Sequence, residues 1–360
     1  VQASPTVLFI KANGTELDRI IGFIGSAQFL EDATLIAEGK SVLELVAQDM
    51  KETEGKDPIV RIHYGRSLIR RGRLAEALPH LLWCFDEGWK HSVAFALAGR
   101  TAMLDDILAL GQVYPPAIEA LRERRDDLHE AIASRKMAPG DERVLVALNE
   151  VLGEPQNTLS LYDKLHREAP DSVVVGRLRE AVFDLLLEAK RYQEILANTN
   201  IEAKVGEAFR EAEQAGEADG NLSAAQTEQL RAYERQRALY VASSYHQVLL
   251  GVGKNEQAAA LAERVLKFDD SAETYNALAW AGYLTGKPIE ENLAQARKAH
   301  GLSGGNDAAI IDTLARVLDK LGHEEEARLL VEEATRRLDS PDDRSMLNQT
   351  RVDLVRAGSS

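Results

Sequence analysis

Cysteine is nearly absent. Cys84 is the sole thiol in 360 residues, which excludes an internal disulfide and any multi-cysteine zinc site. Positive charge is also scarce: 43 Lys and Arg stand against 58 Asp and Glu, a formal net charge of −15. The isoelectric point is near 5.1. A field of that sign repels phosphate backbones, so nucleic acid is not an expected partner. No apolar run reaches the roughly 18–20 residues that span a bilayer, and no membrane partner is expected. No charged-then-apolar leader precedes Val1. A chain opening on valine is expected to be processed or cut, so that absence says nothing about targeting. What is present is an acidic, globular chain, long enough for two or three domains with a real core.

Residues 1–38 differ from the rest. Thr6–Ile10 is a short apolar run with β-branched content, Asn13-Gly14 is a turn signal, and Thr15–Gly22 alternates partially. Two such runs around Asn-Gly predict a β-hairpin. Gly25-Ser26 then caps a helix carrying Phe29, Leu30, Ala33 and Leu35-Ile36. An isolated hairpin is marginal in water, so 1–38 reads as one end of a domain whose remainder lies outside this chain. Ser4-Pro5-Thr6, the strand, Asn13-Gly14 and Leu17-Asp-Arg-Ile-Ile-Gly-Phe23 occur in an order that resembles the last third of a thioredoxin-like domain. The resemblance covers about a tenth of the chain. It implies that Pro5 is the cis-proline before the strand and that a Cys-x-x-Cys pair lies upstream of Val1; nothing here substitutes for that pair.

From about residue 40 a 3.6-residue periodicity dominates, predicting a mainly α fold. Leu278-Ala279 leads to Gly286, and Leu314-Ala315 to Gly322, at an offset of 36. Tyr245-His246 to Gly253 and Tyr64-Gly65 to Gly72 keep the same spacing. A second amphipathic helix follows each glycine, with small residues such as Ala77, Ala258 and Ala327 where two helices touch. In a further unit Gly153 precedes Tyr162, Leu165 and Pro170. The pattern resembles the tetratricopeptide repeat, near 58–90, 139–171, 239–270 and 273–341, the last span holding two repeats. The resemblance implies a helical superhelix whose first helices line a concave surface suited to an extended peptide or a partner helix. Residues 91–136, with Tyr114-Pro115-Pro116, depart from the pattern. So do residues 201–236, rich in Glu, Ala and Gln, which predict a polar helical connector. The expected organisation is 1–38 thioredoxin-like, 39–200 an N-terminal helical block, 201–236 the connector, 237–345 a C-terminal block and 346–360 a tail, fraying at Ala357–Ser360.

Two clusters stand out as candidate binding sites. Arg61, Arg66, Arg70, Arg71 and Arg73, interleaved with His63 and Tyr64, invert the local charge. Arg66 and Arg70, four apart, share a helix face. They suit an acidic or C-terminal carboxylate segment through bidentate guanidinium contacts; the alternative is a solvated face balanced by Glu52, Glu54 and Asp57, and idle arginines of that kind cost the fold close to nothing. The second cluster is Asn276, Trp280 and Tyr283, one stripe at i, i+4 and i+7, beside Asp312 and Arg316 on the next first helix. The alternative there is inter-helix packing.

Chemistry-bearing patterns are weaker. Cys84, between Trp83 and Phe85, falls where the repeat wants a small buried residue. Gly301-Leu-Ser303-Gly-Gly305 matches a nucleophile elbow but lacks the preceding strand. Gly251-Val-Gly-Lys254 lacks full phosphate-loop spacing, and neither His129-Glu130 nor His323-Glu324 completes a zinc helix motif. No catalytic residue, cofactor or metal is expected. The leading reading is a non-catalytic scaffold that binds a protein or peptide; the resemblances imply a bacterial chaperone or adaptor linked to a thioredoxin-like module. The alternative is the substrate-selecting part of a thiol-disulfide oxidoreductase. The single thiol favours the cytoplasm.

Overall fold

The computed structural model describes residues 6–21, 25–92, 100–216 and 223–357. The chain forms two compact units, residues 1–183 and 184–360. Pro5 lies outside the described residues.

The first unit opens with β1 (Thr6–Ile10) and β2 (Glu16–Ile21), an antiparallel hairpin pairing Val7 with Ile20 and Phe9 with Asp18. Its loop closes where the sequence placed the turn. Gly14 takes φ +83°, Gly14 N donates to Lys11 O at 2.8 Å, and Thr15 N donates to Asn13 Oδ1 at 3.1 Å. Among the described residues nine α-helices follow: α1 (Ser26–Ala37), α2 (Val42–Glu52), α3 (Pro58–Arg70), α4 (Leu74–Asp86), α5 (Leu104–Gly111), α6 (Pro116–Ala133) and α7 (Asp141–Val151), with α8 (Pro155–Glu168) after the Gly153 turn and α9 (Val173–Ala181) closing the unit. Local chemistry sets the ends. Asp57 caps α3, accepting from Ile59 N at 2.8 Å, and Pro58 occupies the first helical position, where no N–H is needed. Ser172 caps α9 in the same way. The core is apolar: Leu81, Phe85, Ile107, Leu121, Ile132, Leu145 and Leu148 are all fully buried.

The second unit starts inside α10 (Phe183–Glu188), then α11 (Tyr192–Ala197), α12 (Ile201–Gln214), the long α13 (Ala224–Gly251), α14 (Asn255–Phe268), α15 (Ala272–Leu284), α16 (Glu290–Leu302), α17 (Ala308–Lys320), α18 (Glu324–Arg337) and α19 (Pro341–Ala357). Its C-terminal part is a regular stack of helix pairs like those of tetratricopeptide proteins. Each first helix packs on its own second helix and on the next first helix, so α13, α15, α17 and α19 form one row. The turn glycines Gly253, Gly286 and Gly322 all adopt positive φ, between +78° and +85°, which ends each first helix without strain. Leu318, Val331 and Leu347 anchor the terminal core.

Two stretches differ from their sequence reading. The polar connector expected at 201–236 contributes packed helix: Val205, Ala208 and Phe209 of α12 are buried, and Phe209 stacks on Phe268 at 4.4 Å. Three apolar side chains on one stripe suffice to seat an otherwise charged helix. The tail expected at 346–360 is α19 as far as Ala357, with Leu347 and Thr350 fully buried.

Close packing leaves no room for a side chain at Gly251. A Cβ on Gly251 would sit 2.1 Å from the Tyr192 ring, and Tyr192 is fixed by a hydrogen bond from Gln247 Nε2 at 3.1 Å. Gly251→Ala is expected to destabilise the second unit by about 1–3 kcal/mol through overpacking. Urea unfolding followed by circular dichroism checks this; an unchanged midpoint would show that the ring moves aside freely.

Candidate docking face

The arginine cluster lies on α3 and the turn after it, and each guanidinium has a partner within the first unit. Arg66 grips Asp106 of α5 through two parallel N–H···O bonds of 2.9 and 2.8 Å while staying 50% exposed. That bidentate bond, against a burial cost, raises its pKa. Arg70 donates to Asp32 of α1 at 2.9 Å, and the aspartate is fully buried. Arg71 donates to Asp18 of β2 and to the Ser67 carbonyl, and both members of the Arg71–Asp18 pair are buried. Arg73 forks onto Glu76 at 2.7 and 2.6 Å. Arg61 donates to the Gly55 carbonyl at 2.5 Å and lies 4.0 Å over the Trp83 ring. The carboxylates nearest in sequence serve elsewhere: Asp57 caps α3, Glu54 takes Lys56 and Glu52 takes Gln48. Arg70 and Arg71 thus tie the hairpin and α1 to α3, and Arg66, Arg73 and His63 are the members at the surface.

Cys84 is fully buried, with its sulfur 3.5 Å from the Pro58 carbonyl. Burial, only partly opposed by Arg61, pushes the thiol up to about 12. A group held in the thiol form is neither nucleophile nor metal ligand. Among the described residues no cluster of His, Cys, Asp and Glu is built to hold a metal ion, and no helix is long and apolar enough to cross a membrane.

The second cluster is brought together. Asn276, Trp280 and Tyr283 of α15 are all half-buried on one stripe, and Trp280 stacks on Tyr283 at 4.9 Å. One repeat later, at the same offset of 36, α17 presents Asp312, Arg316 and Asp319. α15 packs directly on α17, so the two stripes lie side by side. Arg316 joins them: it sits 6.0 Å over the Tyr283 ring, donates to Asp312 at 2.8 Å and reaches Asp353 of α19 at 3.0 Å. Burial alone would lower the Arg316 pKa; bonds to Asp312, Tyr283 and Asp353 outweigh it and the guanidinium is held firmly charged. Thr350 of α19 donates to Asp312 as well. Asp319 is the contrasting case, raised above the usual carboxylate range by burial first, with Glu324 adding to it. Asn276 Oδ1 is buried and accepts no hydrogen bond among the described residues. An unsatisfied amide oxygen beside two aromatic rings is a departure from the general satisfaction of buried polar atoms.

Sequence reasoning missed Asp319, Thr350 and Asp353. The 36-residue offset from Tyr283 was sufficient to find Asp319; Thr350 and Asp353 lie beyond the last glycine-marked turn and carry no periodic signal.

No protein-family model matches the chain, and no curated protein matches it. Among solved structures it is similar to the TPR2AB domain in the TPR2AB-domain–pHSP90 complex of yeast Sti1, at 16% identity over 84% of this chain and 98% of that one, with a TM-score of 0.25. At that score the likeness adds nothing to the helix pairs described above.

Proposed function

We propose that this protein is a non-catalytic protein-interaction scaffold that docks a peptide segment on the row of first helices in its second unit. The observation that carries this reading is the pair of adjoining stripes, Asn276–Trp280–Tyr283 and Asp312–Arg316–Asp319, at one repeat offset. A half-buried aromatic pair offers large contact area at low entropic cost, and the charged stripe beside it supplies orientation. The acidic or C-terminal carboxylate partner expected of the arginine cluster keeps one foothold, Arg66, where an incoming carboxylate would compete with Asp106. Arg70 is committed to Asp32 and is not offered to a ligand.

We read the hairpin and α1 as the end of a thioredoxin-like module, on the order of strand, Asn-Gly turn, strand and helix, and we place the protein in the cytoplasm on its single reduced thiol. A role in disulfide exchange draws no support from Cys84, whose thiol is buried and un-ionised. Chaperone or adaptor is therefore the class of activity we favour.

Trp280→Ala tests the docking face. Truncating a central aromatic anchor typically costs 2 kcal/mol or more of binding, roughly thirtyfold in affinity. The same change leaves the terminal core around Leu318 and Val331 in place. Fluorescence titration with peptides selected on the intact protein is expected to show the loss with little change in melting temperature. Equal affinity for parent and variant would place the docking site elsewhere.

A further inference from the structure

The second unit also holds a cleft, and it absorbs the unexplained Gly301–Gly305 pattern. α16 and α18 both pack on α17 and leave between them a cleft of about 590 Å³. Leu314 of α17 lies at its floor, and Leu329 and Leu330 of α18 line it; Leu329 is 51% exposed. Gly301 of α16 forms part of the opposite wall, and a Cβ there would meet nothing within 4 Å. Ser303 ends α16 with its hydroxyl donating to the His300 carbonyl at 3.1 Å, a helix-end contact rather than a nucleophile's pose. The pattern's contribution is the side chain that Gly301 lacks.

The charges around the cleft are unevenly matched. Arg297 is taken by Glu326 at 2.7 Å, and Arg328 is taken by Glu325 and Glu332 at 2.6 and 2.7 Å. Glu333, also on the cleft wall, makes no ion pair among the described residues. His300 lines the same cleft, and burial first and Arg337 second lower its pKa, with Glu333 opposing them, so the imidazole is a poor cation for Glu333. An apolar floor between two helices with an unpaired carboxylate on the rim is the geometry of helix-in-groove recognition.

We propose that the α16–α18 cleft binds a basic amphipathic helix of a partner protein, taking one aliphatic or aromatic side chain against Leu314, Leu329 and Gly301 and one Lys or Arg against Glu333. The net charge of −15 steers such a segment toward the protein. This site is separate from the α15–α17 face and stands whether or not that face docks a peptide.

Calorimetric titration of the intact protein with a synthetic leucine–lysine amphipathic helix tests it, against controls with serine for leucine and glutamate for lysine. The Leu–Lys peptide is expected to bind and both controls to fail. Gly301→Leu, which fills the open wall at a helical position, is expected to weaken binding about tenfold. Leu329→Ser, a change at an exposed rim residue that leaves the fold intact, is expected to do the same and carries the test if Gly301→Leu misfolds. Glu333→Gln should cost several-fold and flatten the salt dependence, while Trp280→Ala should change nothing. Binding that survives both Gly301→Leu and Leu329→Ser would overturn the proposal, the peptide then adhering through general charge. Self-association of the protein that Gly301→Leu abolishes would overturn it too, by seating a second copy in the cleft.

Discussion

Arg71→Ala is expected to destabilise the first unit by about 3–5 kcal/mol, because it strands the buried Asp18 carboxylate without its cation. Arg70→Ala acts the same way on Asp32, which is 2% exposed and among the described residues otherwise accepts only from the Gln28 amide, at 2.8 Å. The loss comes from leaving one charge behind, so removing both partners behaves differently. Arg71→Met with Asp18→Leu should recover most of the stability that Arg71→Ala removes. Hydrogen exchange read by mass spectrometry separates the two units: faster exchange is expected across 6–21 and α1 to α4, with α13 to α19 unchanged. Parent-like exchange in Arg71→Ala would mean that the pair is idle and the hairpin is held by Ile20 and its apolar neighbours alone.

Acid should act on the second unit through His246. Its Nδ1 lies 3.1 Å from the Ala258 carbonyl, its Nε2 is buried without a hydrogen-bond partner among the described residues, and the ring is 1% exposed. Burial, outweighing the bond to Ala258, holds its pKa down to about 4, against about 6.5 in an unfolded chain. Between those two values the unfolded state binds a proton that the folded state does not, so stability rises with pH across that window. Acidification from pH 7 to 4 should therefore remove about 3 kcal/mol at this one site, with the loss complete near pH 4. Carboxylates also titrate there, so the informative quantity is the difference between the parent and His246→Leu. In urea midpoints measured at several pH values, the parent should fall relative to His246→Leu as pH falls from 7 to 4. Parallel curves would show that the imidazole is solvated and titrates normally.

What the sequence revealed here was what local chemistry decides. Asn13-Gly14 placed the hairpin turn, Gly253, Gly286 and Gly322 marked the turns between paired helices, and the 36-residue offset placed two stripes on neighbouring helices. What it concealed were pairings across 38 to 53 residues: Arg70 with Asp32, Arg66 with Asp106, Arg71 with Asp18. A guanidinium carries no address, so a run of arginines that reads as a ligand site or a solvated face turned out to bind its own fold. The packing of the helix at 201–214, which the sequence reads as a polar connector, was concealed for a related reason. Its few apolar residues look too sparse for packing until Phe268, far along the chain, stacks on Phe209.

The central claim is that a peptide docks on the α15–α17 face, and panning a random peptide library on the intact chain tests it most directly. Enriched peptides are then assayed against two tryptophan variants, Trp280→Ala on the face and Trp89→Ala, a 39% exposed residue of the other unit. Binding that falls about tenfold or more in Trp280→Ala and holds in Trp89→Ala is the predicted result. Peptides that bind both variants as tightly as the parent would contradict the account.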